Sequence, residues 1–183
     1  GFRFLILTGG MQDEEEGFKP PRFPLHSLIV HVPVAAWSFT LFFDGLSRLQ
    51  IGGNAMVRLS FFSICLGLVA ALLAIPTGVL DWGGVKKEKP AWKIGLYHMA
   101  ANLVVTILAA INLGVRLSTW KSAEMVSIPA LLLSAIATVF LFGAAYLGGM
   151  MVFEHGDGVA GRSKEKWRRI AEAGGAPLPK KEG

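Results

Sequence analysis

The side chains in this sequence best suited to chemistry are its four histidines, His26, His31, His98 and His155. Neutral imidazole is the commonest metal ligand and the usual axial ligand of haem iron. His31 and His98 are each embedded in apolar sequence, LIVHVPV and GLYHMAA. An ionisable side chain inside a membrane is expensive unless partnered, so its presence there points to a site. Two imidazoles from facing helices, set about one turn below the membrane interface, can hold a haem b edge-on between them. Ala35 and Ala101 lie beside these positions along the helices and leave room for a flat macrocycle. Asn102 follows His98 by one helical turn and shares its face. There it can satisfy the second ring nitrogen of His98 or a propionate. His26 and His155 stand closer to water, as ligands of a second centre or as propionate or quinone partners. A non-haem iron or zinc ion on three or four of the histidines is the alternative metal chemistry. Against all of these stands the plain hydrogen bond of a membrane histidine to lipid phosphate, a backbone carbonyl or water.

The histidines are flanked by Asp81, Trp82, Trp92, Tyr97, Glu154 and Asp157. Asp81 and Glu154 can exchange protons with a quinone headgroup or orient an imidazole, or simply pair with Lys86 or Lys87. Trp82 and Trp92 fit an interfacial aromatic belt. Asp44 and Arg48 share one helix face and are expected to pair. The single cysteine, Cys65, excludes an internal disulfide and reads as small apolar packing. The stretch Glu154–Val159 (EHGDGV) offers glycine caps to a helix end but has no lysine or hydroxyl residue of a phosphate loop. No nucleophile–base or zinc-protease pattern is present.

These residues need elements to position them, and the composition decides which. Of 183 residues 52% are apolar and only 17% charged, against about 25% charged in an average soluble domain. That excludes a disordered chain, a nucleic-acid-binding module and an ordinary cytosolic enzyme. Four runs are long enough to cross a bilayer, which takes about 20 residues of helix. They cover residues 28–46, 59–80, 94–117 and 128–153. Short links between them imply antiparallel neighbours, so the expected fold is an all-α membrane protein, an up-down bundle of four transmembrane helices. An N-terminal extension over residues 1–24, a transmembrane domain over 25–157 and a basic tail over 158–183 complete the expected organisation. Pro33 and Pro76 should bend or start helices near their ends. Gly67 with Ala71, Ala144 with Gly148, and Ala145 with Gly149 have the small-residue spacing that lets helix backbones approach closely in lipid. No repeat of solenoid period is visible.

Antiparallel threading brings all four histidines to the end of the bundle that carries both termini. Of the 18 lysines and arginines only Arg48, Arg58, Arg116 and Lys121 fall at the other end. The positive-inside bias therefore predicts cytoplasmic termini in a bacterial inner membrane. The net charge of +5 is then an orientation signal, with no nucleic-acid partner implied. The tail Arg162–Ala173 (RSKEKWRRIAEA) can lie on anionic headgroups or serve only to fix topology.

Read together, PLHSLIVHVPVAA (Pro24–Ala36), LDW (Leu80–Trp82), YHMAAN (Tyr97–Asn102) and GGMMVFEHGDGV (Gly148–Val159) resemble the DUF2231 family of predicted bacterial membrane proteins. The resemblance spans the whole four-helix region. It implies a four-helix membrane domain with histidines at corresponding ends, similar to cytochrome b-like bundles, some members being fused to redox domains such as Rieske modules. The positions carried over are His26, His31, His98, His155, Asn102 and the pair Asp81–Trp82. Two departures stand out: the family's His-Pro opening is His26–Ser27 here, and no redox domain lies within these residues. An electron partner is thus expected to be a separate chain.

The expected function is a haem b-binding electron-transfer or anchor subunit, more a redox-complex component than an enzyme. His31 and His98 would be its ligands, Asn102 the support, and His26 and His155 further metal-ligand candidates. Membrane lipids, other membrane-complex subunits and a quinone are the expected partners. A cofactor-free accessory subunit and a non-haem metal protein are the alternatives.

Overall fold

Proline placement, glycine placement and apolar run length set the helix limits in the computed structural model, which describes residues 25–154 together with 173 and 174. Five helices follow in order: α1 (Leu25–Ile29), α2 (His31–Arg48), α3 (Asn54–Gly83), α4 (Pro90–Arg116) and α5 (Ile128–Phe153). α1 and α2 form one span interrupted at Val30. Pro33 has no N–H to donate to the Ile29 carbonyl, and its ring crowds that turn. The chain stays close to helical across the break, with Val30 N–H on the His26 carbonyl at 2.9 Å. α3 runs through Pro76 to Gly83. α4 and α5 each open with proline in the first turn, where the missing N–H has no helical partner to lose. The Ser127 side chain caps α5 by accepting from Ala130 N–H.

Four helices are therefore long and apolar enough to cross a membrane. The shortest span, Leu25–Arg48 with 24 residues, is about 36 Å long against a hydrocarbon core of about 30 Å. Around the bundle α2 packs on α3 and α5, and α4 packs on α5 and α3. This is the antiparallel ring expected of an up-down topology. The closest packing lies within two hairpins, α2 with α3 and α4 with α5. Among the described residues there is no strand.

The radial distribution fits lipid as solvent. Leu72, Val139, Phe142 and Tyr146 point outward. The interior is built largely from Ala36, Ala70, Ala71, Ala74, Ala109, Ala137 and Ala144, with Trp37, Ile64, Val105 and Leu141 as the larger inner side chains. With no hydrophobic drive between helices in lipid, small residues and hydrogen bonds hold such a bundle together.

Candidate functional site

Two groups of polar side chains lie on the inner faces, one at each end. At the end where α3 passes to α4, His26 of α1 and His98 of α4 face each other, with ring centroids 6.5 Å apart and planes at 89°. Both rings are half-buried, and both are held in the same way. His26 Nδ1 lies 3.0 Å from the Ala74 carbonyl of α3, and His98 Nδ1 lies 2.8 Å from the Ala144 carbonyl of α5. A carbonyl only accepts, so each Nδ1 carries the proton and each Nε2 presents a lone pair. One turn beyond each carbonyl a glycine makes the room. A Cβ at Gly78 would stand 2.8 Å from His26 Cε1, and one at Gly148 would stand 3.0 Å from His98 Cε1. The Ala144–Gly148 spacing is thus a seat for an imidazole and not only a notch for a neighbouring backbone.

Asn102 reaches His98 as the helical spacing predicts. Its Nδ2 donates to the His98 carbonyl at 2.9 Å and lies 3.1 Å from His98 Nε2. His31 is exposed on α2; the imidazole set opposite His98 is that of His26. Ala35 is likewise exposed, and Ala101 half-buried. His155 and Asp157 lie outside the described residues, as does nearly all of the basic tail. Asp81 and Glu154 are exposed, and neither forms an ion pair among the described residues. Trp82 packs against Trp92, with ring centroids 5.0 Å apart and planes tilted by 31°, and donates its indole N–H to the Trp92 carbonyl at 2.9 Å. Gly95, one turn before His98, is buried beneath Trp82. No group of three or more His, Cys, Asp or Glu side chains able to hold a metal ion occurs among the described residues.

The opposite end corrects the expected Asp44–Arg48 pair. Asp44 and Arg116, 0% and 3% exposed, form the one ion pair among the described residues. Arg116 donates to both carboxylate oxygens, at 2.8 Å and 2.6 Å. Ser60 of α3 and Ser134 of α5 also donate to that carboxylate. Arg116 Nε donates to Asn112 Oδ1 at 2.8 Å, and Asn112 Nδ2 to Ser134 Oγ at 2.8 Å. Every span contributes a partner, and each lone pair and proton of the two charges finds one. Arg48, the expected partner, instead points its guanidinium at the Val126 carbonyl, 3.4 Å away. A planar guanidinium on a facing helix matches a carboxylate in two-point fashion, which a neighbour one turn along the same helix cannot do as well. Arg116 ends an apolar run, a position that by sequence alone resembles that of a rim cation. The signal that identifies it is spacing: Arg116 follows Asp44 by 72 residues, the interval that also separates His98 from His26. Equivalent positions of the two hairpins therefore meet on the bundle axis twice, as imidazoles at one end and as opposite charges at the other.

Between the two ends lies Trp37, 6% exposed. Its indole edge rests on Gly67 of α3, and its N–H is buried with no partner among the described residues. Gly67, like Gly148, seats a side chain.

The spacing and tautomers of His26 and His98 are compatible with ligation of a haem iron. Two imidazoles sharing one iron, with nitrogen about 2 Å from a first-row metal, leave their ring centroids roughly 6 Å apart. Anchoring Nδ1 on a carbonyl fixes the tautomer in which Nε2 ligates. For ligation by His98 the Asn102 amide must release Nε2.

The family model described as DUF2231, predicted membrane protein, matches residues 22–161. No curated protein and no solved structure matches the chain.

Proposed function

The chain belongs to the DUF2231 family of predicted membrane proteins, and from that premise we propose that it is a haem b-binding subunit of a membrane redox complex. His26 and His98 would hold the haem in this reading. The observation that supports it is their facing arrangement, 6.5 Å between centroids, with both Nδ1 atoms anchored on carbonyls. Bound there, the group would supply one-electron chemistry. The chain's own part is to orient the two rings through Ala74 and Ala144, to keep them half out of water, and to give them room at Gly78 and Gly148. Quinone or a partner protein exchanges the electron. In the same reading this end faces the cytoplasm of a bacterial cell, which the lysine-rich α3–α4 connection supports through the positive-inside bias.

The test is an absorption spectrum of the full chain purified from cells supplied with haem, reduced against oxidised. A Soret band and a sharp α band are expected, both lost in His26→Ala and in His98→Ala and kept in His31→Ala. Absence of bands in the parent chain overturns the reading and leaves a cofactor-free accessory subunit. Loss in His31→Ala with retention in His26→Ala moves the ligand to His31.

A further inference from the structure

Four cations belong to the end of the bundle opposite the histidines, and two of them are already engaged. Arg116 is paired with Asp44, and Arg48 lies against the Val126 carbonyl. The other two, Arg58 of α3 and Lys121 of the α4–α5 connection, are exposed and converge on one aromatic ring. Lys121 Nζ stands 5.1 Å and the Arg58 guanidinium carbon 6.0 Å from the centroid of Trp120. The ring is fixed from below and behind. Phe61 lies flat against it at 4.5 Å and 4°, and Phe62 meets it nearly edge-on at 5.5 Å. Asn54 Nδ2 holds the connection by donating to the carbonyls of Trp120, at 3.3 Å, and Ala123, at 2.7 Å. The nearby carboxylate, Glu124, accepts from Asn54 N–H and forms no ion pair with either cation.

We propose that Arg58, Lys121 and Trp120 form a seat for the phosphate of an anionic phospholipid headgroup in the leaflet at this end. Two like charges gathered at one ring repel each other, and an anion between them removes that repulsion. The ring's electron-rich face steadies the cations, while its indole body belongs at the level of the headgroups. Phe62, 51% exposed, extends from the same place toward the acyl chains. The lysines at the other end differ in kind. Lys86, Lys87 and Lys89 are spread along an exposed link with Glu88 among them, and no ring gathers them.

The experiment is native mass spectrometry of the full chain, extracted from membranes and exchanged into micelles holding equal phosphatidylglycerol and phosphatidylcholine. The parent chain should retain phosphatidylglycerol selectively. Each near-surface cation is worth about a fivefold change in affinity, so the double variant Arg58→Gln/Lys121→Gln should lose more than tenfold. Neither side chain makes a hydrogen bond among the described residues and both lie only in exposed contacts with Trp120, so that variant should melt close to the parent temperature. Lys86→Gln/Lys87→Gln should retain the lipid far better. Equal retention by the Arg58/Lys121 variant overturns the proposal. Displacement of the lipid by millimolar inorganic phosphate alone also overturns it, by making the seat one for a free anion.

Discussion

The two ends of the bundle use the same symmetry of placement for opposite purposes. At the Asp44–Arg116 end, two charges are sealed to 0% and 3% exposure and every remaining hydrogen-bonding capacity is taken by Ser60, Ser134 and Asn112. Nothing is left over with which to bind a ligand. At the His26–His98 end the same kind of pairing across the axis leaves the rings half-buried. One nitrogen of each ring is anchored, and the other bears a lone pair. A buried polar network that is fully satisfied rigidifies and specifies one packing. His26 Nε2 keeps its acceptor in reserve, while that of His98 is met only by the Asn102 amide at 3.1 Å. Within a single fold, satisfaction of the hydrogen-bond inventory separates a lock from a candidate site.

The lock should respond most strongly. Arg116→Leu leaves the Asp44 carboxylate buried without its cation and should cost about 3–5 kcal/mol, read as a lowered midpoint in denaturant-monitored unfolding in detergent. Replacing both partners, Asp44→Leu/Arg116→Leu, should cost less than either single change, because no uncompensated charge remains. A double variant no better than the singles would show that the serines and Asn112 carry the effect. Next comes Gly67→Ala. Its Cβ would collide with the Trp37 indole, a ring buried on all sides, and overpacking of this kind costs about 1–3 kcal/mol. At the histidine end the same substitution should be milder. Gly148→Ala would set a Cβ 3.0 Å from His98 Cε1, and a half-buried imidazole can shift. The expected loss is about 1 kcal/mol; if the proposed haem is bound, its absorbance should fall by a larger proportion than the thermal stability. Smallest of all, His31→Ala at an exposed position should change stability by no more than about 0.5 kcal/mol. A large destabilisation there would contradict the division between the two imidazoles.

Much of this was legible in the residues. Run length and scarcity of charge fix four spans, because a helix crossing lipid must satisfy its backbone within itself and present apolar side chains outward. Pro90 and Ser127 mark helix starts by local stereochemistry alone. The contact of Asn102 with His98 follows from helical periodicity, which a single element imposes on its own. The choice between His26 and His31 was not legible. The two lie close together at the start of one span, and the rotation of that span about its axis decides which ring turns inward. Small-residue spacing was visible but ambiguous: Gly67 and Gly148 look like sites of backbone approach until Trp37 and His98 are seen lying on them.

By itself, then, the sequence determined the solvent, the number of spans, their antiparallel order and the end at which His26 and His98 lie. All of these follow from short-range periodicity and from the cost of placing polar groups in hydrocarbon. Tertiary structure alone decided the partners. Asp44 pairs with Arg116 and not with Arg48, and His26 with His98, because pairing across the axis depends on which faces two hairpins turn toward each other. That is a long-range property, set by how Trp37, the imidazoles and the buried charges fill the space between four helices at once.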